Sequence, residues 1–237
     1  MDWFVVGTDG KKGDPAAKIE VLLVAIHNDT IAKFRTIGSS AELNVAYFEI
    51  EVFSATRAVL DRGIAPIAVV DMGAATTKFY VVERGLIHES HIINHGAQDL
   101  TLAASRALCL TVAQAEEYKR HLGLTKASGG VPVEGHPQLA ASLELSLSPL
   151  FSELSRTIAA YETRTNQTLS SIVLTGGGAT IKGLREYAQG LVQTEIRFAD
   201  PFGKTQSPAF LENILKEAGP EFSVAVGLAL RRLQEMG

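Results

Sequence analysis

Apolar residues fall in short blocks along the chain, and the spacing of the blocks predicts the elements. Phe4–Val6 and Ile19–His27 read as strands. The loop Gly7–Lys18 between them holds the turn formers Gly7, Gly10, Gly13 and Pro15. Asp29–Ser39 suits a helix capped by Asn28 or Asp29, and Asn44–Glu49 reads as a strand. Ser54–Arg62 reads as a helix stopped by Gly63, with Pro66 following. Together these make a small βαβ-type module leading into one further helix.

A different pattern starts at Ile67. Ile67–Asp71 is a continuous apolar strand that ends in an acid. The turn Met72-Gly73-Ala74-Ala75 leads to a strand at Thr77–Glu83, and Arg84-Gly85 turns into a third at Leu86–Ile93. Three strands with such short connections predict an antiparallel meander. Helical periodicity dominates from Thr101 to Tyr161, around a Gly- and Pro-rich loop at Ser128–Pro137. Ser170–Thr175 reads as a buried strand, followed at once by Gly176-Gly177-Gly178. A helix at Ile181–Val192, a short strand at Glu195–Ala199, a loop at Pro201–Pro208 and a last helix at Ser223–Glu235 complete the chain. This order predicts an α/β core with an all-helical insertion near residues 106–150.

Composition narrows the function classes. The 237 residues are 46% hydrophobic and 20% charged, which suits one or two folded domains rather than a disordered chain. A net charge of −4 gives no basic surface for nucleic acid. One cysteine, Cys109, excludes an intramolecular disulfide and a Cys-based zinc cluster, and its apolar run Ala107–Leu110 predicts that it is buried. Met1-Asp2-Trp3 lacks the basic start of a signal peptide, and no apolar run reaches the roughly 18 residues of a membrane span. The expectation is a soluble cytoplasmic protein that meets a membrane only through partners.

Four stretches carry candidate chemistry. The first, Asp71–Lys78, places a carboxylate at a strand end beside a glycine turn. Mg²⁺ favours carboxylates, water and phosphate oxygens, successive turn amides form an anion nest, and Thr76 and Thr77 offer hydroxyls. An ordinary hairpin with a capping Asp is the competing account. The second, Leu174–Leu184, runs a strand into Gly176, Gly177 and Gly178 ahead of a helix, a ready site for an anion or nucleotide. In the third, Glu116 and Lys119 lie three apart and share a helix face, as a solvated salt bridge also would. In the fourth, Gly96 permits a tight turn after His95, and Asp99 can cap a helix beginning near Thr101. His88, His91 and His95 are close in sequence, but no cysteine or acidic cluster joins them as in a metal site. Gly7–Lys18 lacks the Gly-Lys-Ser/Thr ending of a phosphate loop and precedes a strand, so it reads as a plain hairpin loop. No Gly-x-Ser-x-Gly elbow is present.

These stretches stand in the order used by the actin, Hsp70 and sugar kinase superfamily. Asp71–Thr76 matches its second phosphate loop, Asp-x-Gly-x-x-Thr, and Leu174–Leu184 matches its adenosine motif. Glu116, Lys119 and Arg120 match its nucleoside-gripping helix. Within the superfamily the chain resembles the PilM family of type IV pilus assembly proteins, with the division protein FtsA next. Glu51–Leu60, Ala74–Thr77, Gly96–Ala115, Leu174–Tyr187, Asp200-Pro201-Phe202 and Ala225–Arg231 carry that likeness.

The resemblance implies an α/β fold of the actin-like ATPase (ribonuclease H-like) type. It also implies that the fold is incomplete at the N-terminus, because Met1 enters near subdomain 1C and the first phosphate loop of subdomain 1A is missing. Residues 1–50 would be 1C-like and 51–65 a return segment of 1A. Residues 66–105 and 151–222 would form the nucleotide-binding subdomain 2A, 106–150 the helical 2B, and 223–237 a C-terminal helix packing toward 1A. ATP and Mg²⁺ are the implied cofactors. Asp71 would hold Mg²⁺ through water, Gly73, Thr76 and Thr77 the phosphates, Glu116 and Lys119 the ribose, and Gly177 with Gly178 the nucleoside. Gly96 and Gly176 complete the cofactor-binding set. His95 stands where the family usually has glycine, and its imidazole would crowd the γ-phosphate or bond to it. The implied role is a scaffold at the inner face of the inner membrane, with weak or absent ATPase activity. It would bind the cytoplasmic tail of a PilN-type protein and other pilus platform proteins. An FtsA-like division protein and a sugar-kinase-like enzyme are the alternatives.

Overall fold

The computed structural model describes residues 2–9, 18–61, 63–124 and 137–236. The chain divides into two compact units, Met1–Ile50 and Glu51–Gly237.

In the first unit, β1 (Asp2–Asp9) and β2 (Lys18–Val24) pair antiparallel, with an irregularity between Val5 and Gly7. Residues 10–17 of the connecting loop, with its glycines Gly10 and Gly13, lie outside the described residues. Helix α1 (Asn28–Ser40) follows, with His27 at its N-cap. Gly38, buried near its end, lets the chain turn back closely: a Cβ there would stand 2.3 Å from Cγ2 of Val45. Asn44–Glu49 is not a strand, contrary to the alternation of its side chains. A strand is defined by a hydrogen-bonded neighbour, and β1 and β2 form a two-stranded sheet without it.

The second unit is built on a five-stranded sheet of order β5-β4-β3-β6-β7. Its strands are β3 (Ile67–Met72), β4 (Thr77–Glu83), β5 (Leu86–Ile93), β6 (Ser171–Thr175) and β7 (Ile196–Phe198). The meander β3-β4-β5 is antiparallel as expected, while β6 returns parallel to β3 and β7 parallel to β6. β3 lies at the centre, which explains its continuous apolar run: a strand covered on both faces has no polar side to show. Ala68, Val70, Met72, Phe79, Val81, Ile172 and Leu174 face one core. The helices α3 (Ala97–Leu108), α4 (Val112–Leu122), α5 (Pro137–Thr165) and α6 (Leu184–Gln189) contribute to that core. Val69, Tyr80, Val82 and Val173 are buried on the opposite face. Helices α2 (Glu51–Val59) and α7 (Glu212–Met236) meet that face, through Lys78 with Glu51 and Thr175 with Ser223.

Several boundaries differ from the sequence expectation. α3 begins at Ala97 rather than near Thr101, and Asp99 is not its N-cap but accepts the Gly96 amide at 2.8 Å from inside the first turn. α2 starts at Glu51 and ends at Val59. The expected helix Ile181–Val192 shortens to Leu184–Gln189, because Gly177–Thr180 forms a 3₁₀ turn and Gly183 takes a positive φ of 79°. Loop 201–208 opens with a 3₁₀ turn capped by Asp200, whose carboxylate accepts the Gly203 amide at 3.0 Å. α7 begins eleven residues early, at Glu212 rather than Ser223, and runs through Pro220. The Pro220 carbonyl accepts hydrogen bonds from the Gly176 amide and the Thr175 hydroxyl. Cys109 is exposed rather than buried. It ends α3 in the left-handed conformation, at φ 54°, and that reversal takes its side chain out of the helix's apolar face. The loop expected at Ser128–Pro137 lies, up to residue 136, outside the described residues.

Candidate functional site

The turn between β3 and β4 is fastened to the start of α3. Gly73 closes the turn by donating to the Thr76 carbonyl at 3.0 Å. The Ala97 and Gln98 amides, the first two of α3, donate to the carbonyls of Gly73 and Ala74 at 2.9 and 2.8 Å. Gly96 must be glycine for this approach, since a Cβ would lie 2.4 Å from the Ala74 oxygen. Thr77 is fully buried, and its hydroxyl donates to the His95 carbonyl at 2.8 Å. That hydroxyl holds the hairpin together rather than standing open to a phosphate. Ala74 and Ala75, at the tip, are exposed. The His95 ring lies 3.2 Å from the Ser146 hydroxyl on α5, and His91 lies 2.8 Å from Glu153. Among the described residues no three His, Cys, Asp or Glu side chains gather as a metal group.

The glycine cluster divides its labour. Gly176, at φ 86°, passes so close to β3 that a Cβ would meet Asp71 Oδ1 at 2.4 Å. Gly178 packs on Met72, where a Cβ would come within 2.9 Å. At Gly177 a Cβ would meet only Cγ of Glu221, at 3.9 Å, an ordinary van der Waals contact. Asp71 is half-buried, directly opposite Lys78 on β4 and Thr175 on β6. Burial pushes its carboxyl above the usual range, Lys78 pulls it back and Glu51 adds to the rise.

Helix α4 brings the charged groups. A Thr111–Gln114 capping box starts it, which sets the register of the face that follows. Lys119 is buried, and its ammonium donates to the Ala97 carbonyl at 3.0 Å, the Thr101 hydroxyl at 2.8 Å and Glu116 Oε2 at 2.7 Å. A lysine has three donors, so all three are engaged. Glu116 also accepts from Thr101 at 2.5 Å and from Arg120 Nε at 2.8 Å. Burial alone would raise the Glu116 pKa; the bonds from Arg120, Lys119 and Thr101 outweigh it and bring it down to about 2. At neutral pH Glu116 is therefore an acceptor only, suited to hydroxyl donors.

These pieces surround a cavity of about 740 Å³. Gly177 and Gly178 border one side, Glu116, Lys119 and Arg120 another, and Ala74 with Ala97 the hairpin end. Val112, Ala113 and Ile181 give it apolar surface. Of the ten candidate residues, Glu116, Lys119, Gly177 and Gly178 border the cavity. Asp71, Gly73, Thr76, Thr77, Gly96 and Gly176 do not border it and belong to the turn and its supports. Gln98, Thr101 and Glu221 also border it and were not singled out from the sequence. Glu221 lies on α7, 3.4 Å from the Thr180 hydroxyl, and only the fold brings it there from 41 residues away.

A family model described as type IV pilus assembly protein PilM matches residues 1–233. The cell division protein FtsA of Agrobacterium fabrum is 24% identical over 249 residues, which cover 94% of this chain and 55% of FtsA. The chain thus spans about half the length of that curated relative. Among solved structures, a PilM-PilN type IV pilus biogenesis complex superposes with a TM-score of 0.79 at 21% identity, covering 97% of this chain and 65% of the other. MreB5 of Spiroplasma citri bound to AMPPNP superposes with a TM-score of 0.63 at 15% identity, covering 89% of this chain and 67% of MreB5. The fold is therefore α/β and actin-like.

Proposed function

The chain belongs to the family of the type IV pilus assembly protein PilM, and from that premise we propose that it is an ATP-binding part of a pilus assembly platform that holds the cytoplasmic tail of a PilN-type inner-membrane protein. The observation that carries the nucleotide half is the cavity between α4 and the glycine cluster. Its volume is within the range of small-molecule sites, at roughly 300–1,000 Å³. Its apolar residues Val112, Ala113 and Ile181 suit a base, and the ionised Glu116 suits ribose hydroxyls. Gly177 borders the cavity without a side chain, and a Cβ there would make no contact shorter than 3.9 Å. The exposed turn at Ala74 and Ala75, between Gly73 and Thr76, would take the phosphates on its backbone amides. Asp71 would hold Mg²⁺ through water, since Mg²⁺ needs only one or two carboxylates when phosphates supply the rest. The bound cation would offset phosphate charge beside that half-buried carboxylate. A PilN-type tail is supported by the likeness to a PilM structure solved with PilN. Among the described residues no helix is long and apolar enough to cross a membrane, which fits attachment through such a partner.

Calorimetric titration tests both halves. Mg-ATP is expected to bind with a dissociation constant on the order of micromolar, weakened about tenfold in Glu116→Gln by the loss of charged hydrogen bonds. A PilN-type tail peptide is expected to bind in the same affinity range. Absence of heat at high-micromolar ATP would refute the nucleotide half, and absence of heat with the peptide would refute the partner half.

A further inference from the structure

One lysine behind the hairpin turn is paired with one carboxylate and stands opposite a second. Lys78 stands directly opposite Asp71 across β3 and β4, and side chains of such a pair lie on the same face of a sheet. On that face the Lys78 ammonium forms an ion pair with Glu51, the first residue of α2. The Asp71–Lys78 pair is the second cross-strand pair from the turn, after Met72–Thr77. Asp71 itself lies against Gly176, the residue that leads into the cavity glycines. Of Asp71, Lys78 and Glu51, the ammonium is the one positive charge against two negative ones. Lys78 is 22% exposed and Glu51 43%, so their pair is open enough to solvent to break at small cost.

A nucleotide in the cavity whose phosphates followed the turn would bring its terminal phosphate toward this pair, which lies beyond the cavity lining. A phosphate carries more charge and more acceptor oxygens than a surface carboxylate and competes well for an ammonium. We propose that Lys78 exchanges partners when nucleotide binds: its ammonium leaves Glu51 for the terminal phosphate, and the first turn of α2 is released from the sheet. Lysine suits this role, as a point charge on a flexible four-carbon stem. Glu51, once free, remains at a helix N-terminus, where a carboxylate is favourable. The exchange makes α2, where the second unit begins, responsive to the occupancy of the cavity. It rests on the nucleotide reading above.

A double-mutant cycle in Mg-ATP affinity decides it, with the full chain as wild type, Glu51→Gln, Lys78→Met and the pair combined. Removing the competitor in Glu51→Gln is expected to tighten binding about threefold. Lys78→Met is expected to weaken it about tenfold. In the Lys78→Met background the Glu51→Gln change is expected to have under about twofold effect, because no ammonium is left to release. Hydrogen exchange in residues 51–55 should quicken on adding Mg-ATP to the wild type and stay unchanged in Lys78→Met. If Lys78→Met melts well below the wild type, Lys78→Gln takes its place in the cycle. Equal tightening by Glu51→Gln with and without Lys78 would show simple repulsion through space and overturn the exchange. An unchanged affinity in Glu51→Gln would overturn it too. A wild-type chain that binds no Mg-ATP at all would overturn the nucleotide reading, and the exchange with it.

Discussion

Glu116 gathers Lys119, Thr101 and Arg120 on one carboxylate, and the four together shape one wall of the cavity. Its pKa near 2 lies below the unfolded value of 4.5, so the ionised form is the one the fold favours. The stabilisation is then fully present above about pH 4.5 and is lost as pH falls toward about 2. Glu116→Gln should melt lower than the wild type at pH 6, and the gap should close between pH 4.5 and pH 2. A gap that does not change over that range would show that the carboxylate's charge is unimportant. The spacing of Glu116 and Lys119 was legible in the sequence, because a helix converts three residues into one face. That Lys119 is buried with all its donors engaged was not, since its partners Ala97 and Thr101 lie on another helix. Thr77 shows the same limit. Its hydroxyl suggests a phosphate donor by type, yet it is committed to the His95 carbonyl, a choice made by packing.

Among the elements, α7 departs furthest from expectation. A proline in a helical pattern normally marks a boundary, because it lacks a donor and crowds the carbonyl four residues back. Here the helix continues through it, and its carbonyl fastens the strand end at Thr175 and Gly176. Further along, α7 crosses α2 at closest approach. A Cβ on Gly227 would fall 1.8 Å from the Ser54 carbonyl oxygen, and Arg57 donates to the Gly227 carbonyl at 3.1 Å. The obstacle is backbone, so no side-chain rotamer relieves it. Gly227→Ala should lower the unfolding free energy by about 3 kcal/mol, measured by denaturant titration; a change under about 0.5 kcal/mol would mean that the helices separate easily. The meander β3-β4-β5 was legible because its pairings are local. The insertion of β6 beside β3 joins residues about a hundred positions apart, and no local pattern announces it.

For the whole molecule, the two units carry unequal shares of the interior. The buried hydrophobic residues Val52 to Ala199 belong to the second unit. In the first unit Gly38 is buried, while Trp3, Val5, Val21 and Leu23 are exposed. A chain starting at Glu51 should therefore keep a cooperative melt and bind Mg-ATP within about threefold of the full chain, since every cavity residue is in the second unit. Loss of the cooperative transition would show that the first unit completes the core. The α/β class was legible at this scale from the order of elements, and the likeness to PilM from short motifs spread over the chain. The lopsided core depends on contacts that no motif records.

The exposed thiol at the end of α3 has a practical consequence. Cys109 is the chain's single cysteine, and it marks the joint between α3 and α4, two helices that both border the cavity. A maleimide fluorophore added to the unaltered protein attaches there and nowhere else. The emission of one dye then reports on that joint while the cavity fills and empties, without any engineered label site.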